Sequence, residues 1–288
     1  MKINRKYQGV VLIILSAFCF GLMNVCVRLS GDLPSIQKSF FRNFIAFLIA
    51  AVTVWRQKVW FSGKRENLGY LFLRSVCGTI GILCNFYAVD HLVLADASML
   101  NKMSPFFAIL FSVLILKEKV KPAQALIVAA AFMGSLLVIK PTGLNMDVIP
   151  ALIGFAGGVG AGAAYTYVRK LSSCGEKGPF IILFFSGFSC LVTFPALIFD
   201  YHPMTAEQLI ILLLAGVAAA GGQFTITAAY SCAPAREISV YDYSQIIFSA
   251  IFGFFLFGQI PDVWSWIGYG VIISMAVVMF LYNNRKIS

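Results

Sequence analysis

Apolar residues run along this chain in blocks of about 20, separated by short polar breaks, and not in the spaced stripe of a soluble amphipathic helix. The blocks predict ten helices, at roughly 8–29, 36–56, 68–89, 94–116, 122–140, 148–169, 179–199, 206–231, 236–257 and 262–282. About 20 residues at 1.5 Å each match the roughly 30 Å of a bilayer's hydrocarbon core. The breaks carry turn residues and charge: Gly31-Asp32-Leu33-Pro34, Ser62-Gly63-Lys64-Arg65, Lys117 to Pro122, Pro141-Thr142-Gly143, Ser172 to Pro179, and Asp200-Tyr201-His202-Pro203. The expected fold is an all-α membrane protein of ten transmembrane helices.

Composition agrees. The 288 residues are 60% hydrophobic and 12% charged, with a mean hydropathy of +0.86. Soluble domains carry about 25% charged residues. The net charge of +10 could suggest nucleic acid, but its placement reads as topology. Lys2, Arg5, Lys6, Arg56, Lys58, Lys64, Arg65, Lys117, Lys119, Lys121, Arg169, Lys170, Lys177, Arg236, Arg285 and Lys286 all fall on one side of the predicted spans. Only Arg28, Lys38 and Lys140 flank the other. The positive-inside rule then puts both termini in the cytoplasm, as an even number of spans requires. The basic start, MKINRKYQG, leads straight into an apolar run reaching about Val27, so it is expected to open a first spanning helix and not a cleaved leader.

Cys19, Cys26, Cys77, Cys84, Cys174, Cys190 and Cys232 form no CxxC pair, and most lie in apolar runs. They read as small buried residues. With only His91 and His202 besides, no metal site, cofactor or His-based nucleophile is expected.

Compared with itself, the chain aligns its halves at one offset of 141 residues without a gap. Gly21 meets Gly162, Val27-Arg28 meets Val168-Arg169, and Gly81 meets Gly222. Ala88 meets Ala229, Asp96 meets Glu237, Ser98 meets Ser239, Phe107 meets Phe248 and Phe111 meets Phe252. The halves, 1–141 and 142–288, hold five predicted spans each, an odd number, so the second is expected to enter the membrane inverted. Inverted repeats are a carrier architecture with a site near the midplane.

These features resemble the EamA-type family of the drug/metabolite transporter superfamily. The matching residues are Phe41-Arg42, the run Phe86 to Val89, Ala95 to Ser98, Pro105-Phe106, Leu116-Lys117-Glu118 and Gly134. In the second half they are Ala228-Ala229-Tyr230, Ala233-Pro234-Ala235, Phe257-Gly258-Gln259 and Gly268, with Gln259 where the family usually has Glu. The resemblance implies ten spans in two five-span repeats and carriers that move small metabolites through a central cavity.

Polar groups inside spans are expensive and mark pathways. The stretch from Gly78 to Glu118 holds several: Asp90-His91, Asp96, Asn101 and Lys102. Asn101 and Lys102 lie roughly 10 Å into span 4 from outside, and Asp242 and Tyr243 roughly 10 Å into span 9 from inside. That places a cation and an anion near opposite mouths of one cavity, a match for a zwitterionic amino acid. Arg42, deep in span 2, either binds a substrate carboxylate or pairs with Asp90 or Asp96; Arg74 poses the same choice. Arg28 shares a helix face with Asn24 and either joins the lining or snorkels to the interface, whereas Arg169 reads as an interface residue. The candidate lining is Asn24, Arg42, Asn85, Tyr87, Asn101, Lys102, Gln223, Tyr241, Asp242, Tyr243 and Gln245. Phe106, Phe107, Phe184, Phe185, Phe254 and Phe255 read as lipid-facing or packing surface. Pro105 could break span 4, and Ile246 at the repeat position makes that break one-sided.

The expected function is a carrier in the bacterial inner membrane that works by alternating access, with an amino acid or nucleoside-like cargo. Tyr241 to Gln245 resembles S-adenosylmethionine carriers of this superfamily. A membrane enzyme would need clustered His, Asp, Ser or Cys at one interface, and no such cluster exists. A lipid-binding scaffold would leave the intramembrane polar residues unexplained. Expected partners are a small metabolite and the lipid bilayer, without nucleic acid; a homodimer stays open.

Overall fold

A computed structural model describes residues 5–59, 65–91, 100–139, 148–258 and 260–284. Among them are α1 (Arg5–Leu29), α2 (Ser35–Gln57), α3 (Arg65–His91), α4 (Ser104–Leu116), α5 (Pro122–Ile139), α6 (Val148–Ser173), α7 (Gly178–Phe199) and α8 (Ala206–Cys232). There follow α9 (Ala235–Ile238), a 3-10 turn (Ser239–Tyr243), α10 (Ser244–Phe257) and α11 (Val263–Asn284). Eight helical stretches are long and apolar enough to cross a membrane; α9 through α10 count as one, and α4 and α5 are shorter apolar helices. Asp96, Gln259, the breaks at 60–64 and 140–147 and the Asp90 side chain lie outside the described residues.

Short connections make successive helices antiparallel, so the bundle has two ends. One, the basic end, gathers the start of α3, α5 and α7 and the finish of α2, α4, α6 and α8. The outward faces expose Val11, Leu126, Leu191, Phe255, Trp264 and Trp266. Such a surface suits hydrocarbon and would aggregate in water.

Small residues decide which helices meet. Lipid offers apolar side chains no gain from mutual burial, so association rests on close packing. A Cβ on Gly81 would stand 3.0 Å from the Ala161 nitrogen, and one on Gly160 only 2.8 Å from the Cys77 oxygen. The backbones of α3 and α6 therefore touch. Across the bundle α1 meets α8, where Phe20 lies on Gly222 and Ser16 donates to the Gly222 carbonyl at 3.0 Å. α2 packs on α7, and α5 on α11. α4 leans on α6, and α10 on α1. Each of these pairings has a counterpart in which each helix is replaced by its equivalent in the other half, or is its own counterpart.

Two expectations are corrected. Span 4, expected from about 94 with Pro105 as a candidate break, has a helical Leu100-Asn101, then a turn at Lys102-Met103 before α4 begins. Span 9, expected to be continuous, has its own break, the 3-10 turn that ends at Tyr243. The break is two-sided. Pro105 stands just inside the start of α4, but the second break forms without a proline, Ile246 being at the equivalent site. Buried polar and aromatic groups hold both turns, as discontinuous membrane helices require.

Candidate substrate site

The half-helices fix the depth of the breaks. α4 has 13 residues and α10 has 14, roughly 20 Å each at 1.5 Å per residue. They run from the breaks to opposite ends of the bundle, so both breaks sit near mid-depth. Lys102 and Asp242, expected near opposite mouths, are in direct contact: Lys102 Nζ lies 3.1 Å from Asp242 Oδ2. The expectation failed because it counted depth from continuous spans. The same ammonium donates to Gln245 Oε1 at 2.7 Å and to the Asp242 carbonyl at 3.4 Å, which uses all three of its protons. Tyr243 Oη donates to the Lys102 carbonyl at 3.1 Å. Each break thus supplies the partners of the other.

Beside this knot lie two buried guanidinium groups, Arg42 and Arg74, 6% and 2% exposed. Arg74 lies over the Phe185 ring at 3.7 Å and donates through Nη2 to Gln223 Oε1 at 3.3 Å. Gly78 makes room for it, since a Cβ there would stand 2.5 Å from Arg74 Nη1. Nε and Nη1 of Arg74 have no hydrogen-bond partner among the described residues. Arg42 Nε donates to Met23 Sδ at 3.2 Å, and its Nη1 has no partner. Tyr165 is stacked on Tyr230, 5.0 Å between centroids, and lies within electrostatic reach of Arg42, Arg74 and Asp242.

The predicted lining therefore divides. Lys102, Asp242, Tyr243 and Gln245 form one knot, with Arg42 and Gln223 beside it. Asn101 and Asn85 are half-buried next to the break and on α3. Asn24 is exposed on α1 and takes no part in these hydrogen bonds. Tyr87 is exposed and stacks on His91 at 4.0 Å. It lines a groove of about 470 Å³ between α2, α3, α6 and α7, with Pro34, Gln37, Cys84, Ile153 and Asp200. Tyr241 is buried without a partner for its hydroxyl and borders a separate apolar recess beside α11. Sequence reasoning left Tyr165, Tyr230 and Arg74 out of the lining. The signal for Arg74 was its place nine residues inside an apolar helix. Phe185, read as packing surface, is packed, and it also carries the Arg74 cation.

The two ends differ. At the basic end Arg169 Nε lies 3.5 Å from Glu118 Oε1, and Arg169 Nη1 donates to the Tyr230 and Ser231 carbonyls at 3.5 and 3.2 Å. Ser172 and Ser231 share a hydrogen bond of 2.5 Å, Asn67 donates to Glu176 at 2.8 Å, and Arg236 donates to the Lys119 carbonyl at 2.7 Å. Arg169, expected at the surface, is thus half-buried as a clamp. The groove opens toward the other end, among the start of α2 and the finish of α3 and α7.

Residues 7–140 and 148–281 each match the model of the EamA-like transporter family. The chain is 34% identical over 280 residues to the "Pseudopaline exporter CntI" of Pseudomonas aeruginosa, covering 96% of this chain and 97% of that protein. It is 26% identical over 274 residues to a "Riboflavin transporter" of Brucella anthropi, covering 92% and 95%. A solved crystal structure superposes with a TM-score of 0.84 at 14% identity, covering 98% of this chain and 99% of that one. At that identity the likeness is one of fold.

Proposed function

The chain belongs to the EamA-like transporter family, and we propose that it carries a small metabolite across the bacterial inner membrane by alternating access. Relatives named as exporters and transporters make it a multi-pass membrane transporter and point away from an enzyme. The finer reading has ten spans with α4 and α5 included, both termini in the cytoplasm, and two inverted five-helix repeats at 1–141 and 142–288. Its support is the reciprocal packing of equivalent helices and the Lys and Arg gathered at one end. The cargo has the size of an amino acid or nucleoside.

The observation that carries the reading is the pair of broken helices meeting at mid-depth around buried polar groups. In carriers, broken helices supply a site that either mouth can reach. The basic end is bridged between α4, α6 and α8 and the opposite end is grooved, which is the arrangement of a carrier closed on one side. Alternating access requires a second state in which the Arg169 bridges part and the groove closes.

Flux into liposomes tests this. The purified chain should accelerate uptake or efflux of at least one labelled solute from a panel of amino acids, nucleosides and organic acids, above the rate of empty liposomes. No acceleration for any member of the panel sinks the carrier reading.

A further inference from the structure

Among the described residues five charged side chains are buried: Arg42, Arg74, Lys102, Glu176 and Asp242. Glu176 sits in the α6–α7 connection at the basic end, held by Asn67. Away from that end the described interior holds three cations and one anion, and Lys102 and Asp242 neutralise each other at 3.1 Å. Among the described residues two positive charges remain without a charged partner, both on guanidinium groups and both with N–H groups that find no acceptor there. A buried charge without a partner is costly, more so at membrane depth. It persists where something else supplies the counter-charge for part of the working cycle.

Two further features have the same sign. α4 and α10 both begin at the central breaks, so two helix N-termini, each with a partial positive charge, face the middle of the bundle. The arginines also stand outside the repeat: the equivalent of Arg42 is Leu183, and that of Arg74 is Ala215. Fold-level packing needs are duplicated in both halves, while these charges are not.

We propose that Arg42 and Arg74 form the anion-holding part of the substrate site, and that the cargo is a small organic acid bearing two carboxylates. The proposal rests on the carrier reading. A guanidinium offers charged N–H donors to a carboxylate's oxygens, and Nη1 of Arg42 with Nη1 and Nε of Arg74 are the donors without a partner among the described residues. Two carboxylates neutralise the two free charges. Tyr165, stacked on Tyr230, lies within electrostatic reach of both arginines. A zwitterion gains less, because Asp242 is already bonded to Lys102, and a cationic sulfonium such as S-adenosylmethionine is repelled.

The test uses thermal unfolding of the purified full chain in detergent micelles at constant ionic strength. Glutarate should raise the midpoint, while its neutral isostere glutaramide and the cation 1,5-diaminopentane should not. Arg42→Gln and Arg74→Gln should each weaken glutarate binding roughly tenfold or more, the loss expected for a charge-assisted hydrogen bond. Arg42→Lys should keep part of the response. Without ligand, the Gln variants should unfold at or above the wild-type temperature, because an uncompensated charge has been removed. Three results would overturn the proposal: no shift with glutarate; an equal shift with sulfate; or Gln variants less stable without ligand. Liposome flux of a neutral or cationic solute that is indifferent to Arg42→Gln and Arg74→Gln leaves the carrier intact and removes this site. No flux of any solute removes the carrier reading alone, since carboxylate binding in micelles is measured separately.

Discussion

The two halves of the chain are alike where helices touch and unlike where the buried central charges sit. Gly21 receives Phe248 and Phe252; 141 residues on, Gly162 receives Phe107 and Ala108. Phe107 and Phe248 are themselves equivalent. α4 and α10 end at equivalent residues, Lys117 and Gly258, both with left-handed backbone at φ 56° and 63°. The polar centre keeps no such likeness. Lys102 stands opposite Tyr243 in the alignment, Asp242 opposite Asn101, Arg42 opposite Leu183 and Tyr165 opposite Asn24. Packing constrains both halves in the same way because each must close the same helix contacts. A ligand has no two-fold symmetry, so the groups that meet it are free to diverge. Scaffold and site are separated by which residues respect the repeat.

The largest effect should come from the unsymmetrical centre. Lys102→Met leaves Asp242 buried and unpaired, which should cost about 3–5 kcal/mol and lower the unfolding midpoint in micelles. Adding Asp242→Asn should recover most of it; a double variant no better than the single would mean the pair is not what matters.

The duplicated contacts should break unequally. A Cβ on Gly162 would stand 2.5 Å from Phe107 Cβ and 2.8 Å from the Ala108 nitrogen, whereas one on Gly21 meets ring carbons no nearer than 3.3 Å. Gly162→Ala should cost about 1–3 kcal/mol of overpacking, and Gly21→Ala clearly less. Equal midpoints for the two variants would refute the difference in fit.

A smaller effect is expected at the clamp. Glu118→Gln removes the partner of Arg169 Nε, both side chains being partly exposed, so about 1 kcal/mol of bias toward the basic-end-closed state should be lost. Spin labels at Ser173 and Lys121 would report it as a larger population of long distances. An unchanged distribution would show that the clamp does not hold that end shut.

The smallest effect has the opposite sign. Lys117 adopts a backbone that glycine takes without strain, as Gly258 does at the equivalent point. Lys117→Gly should leave stability unchanged or raise it by roughly 0.5–1 kcal/mol. A lower midpoint would mean that the lysine side chain contributes more there than the backbone strain removes.

Much of the scaffold was legible. Predicted spans 36–56, 206–231 and 262–282 coincide within a residue or two with α2, α8 and α11, because a run of about 20 apolar residues bounded by turn signals has few alternatives. The repeat register named Gly81, Gly162 and Gly222, which prove to be contact glycines. The centre was less legible. Lys102 and Asp242 were recognised as intramembrane charges, yet their separation was misjudged, since nothing in the residues around Tyr241 announces a 3-10 turn in an apolar stretch.

Hydropathy, charge placement and the 141-residue register belong to the sequence alone, because each is a property of residues counted along the chain. They determined a helical membrane protein, its basic side and the membership of two equivalent halves in one family. Which charges meet depends on where two helices stop being helical and on how closely glycines let their neighbours approach. Those are distances across the bundle, between residues 140 or more apart in sequence. Only the tertiary structure joined Lys102 to Asp242, and in doing so left Arg42 and Arg74 as the two buried charges without a charged partner among the described residues.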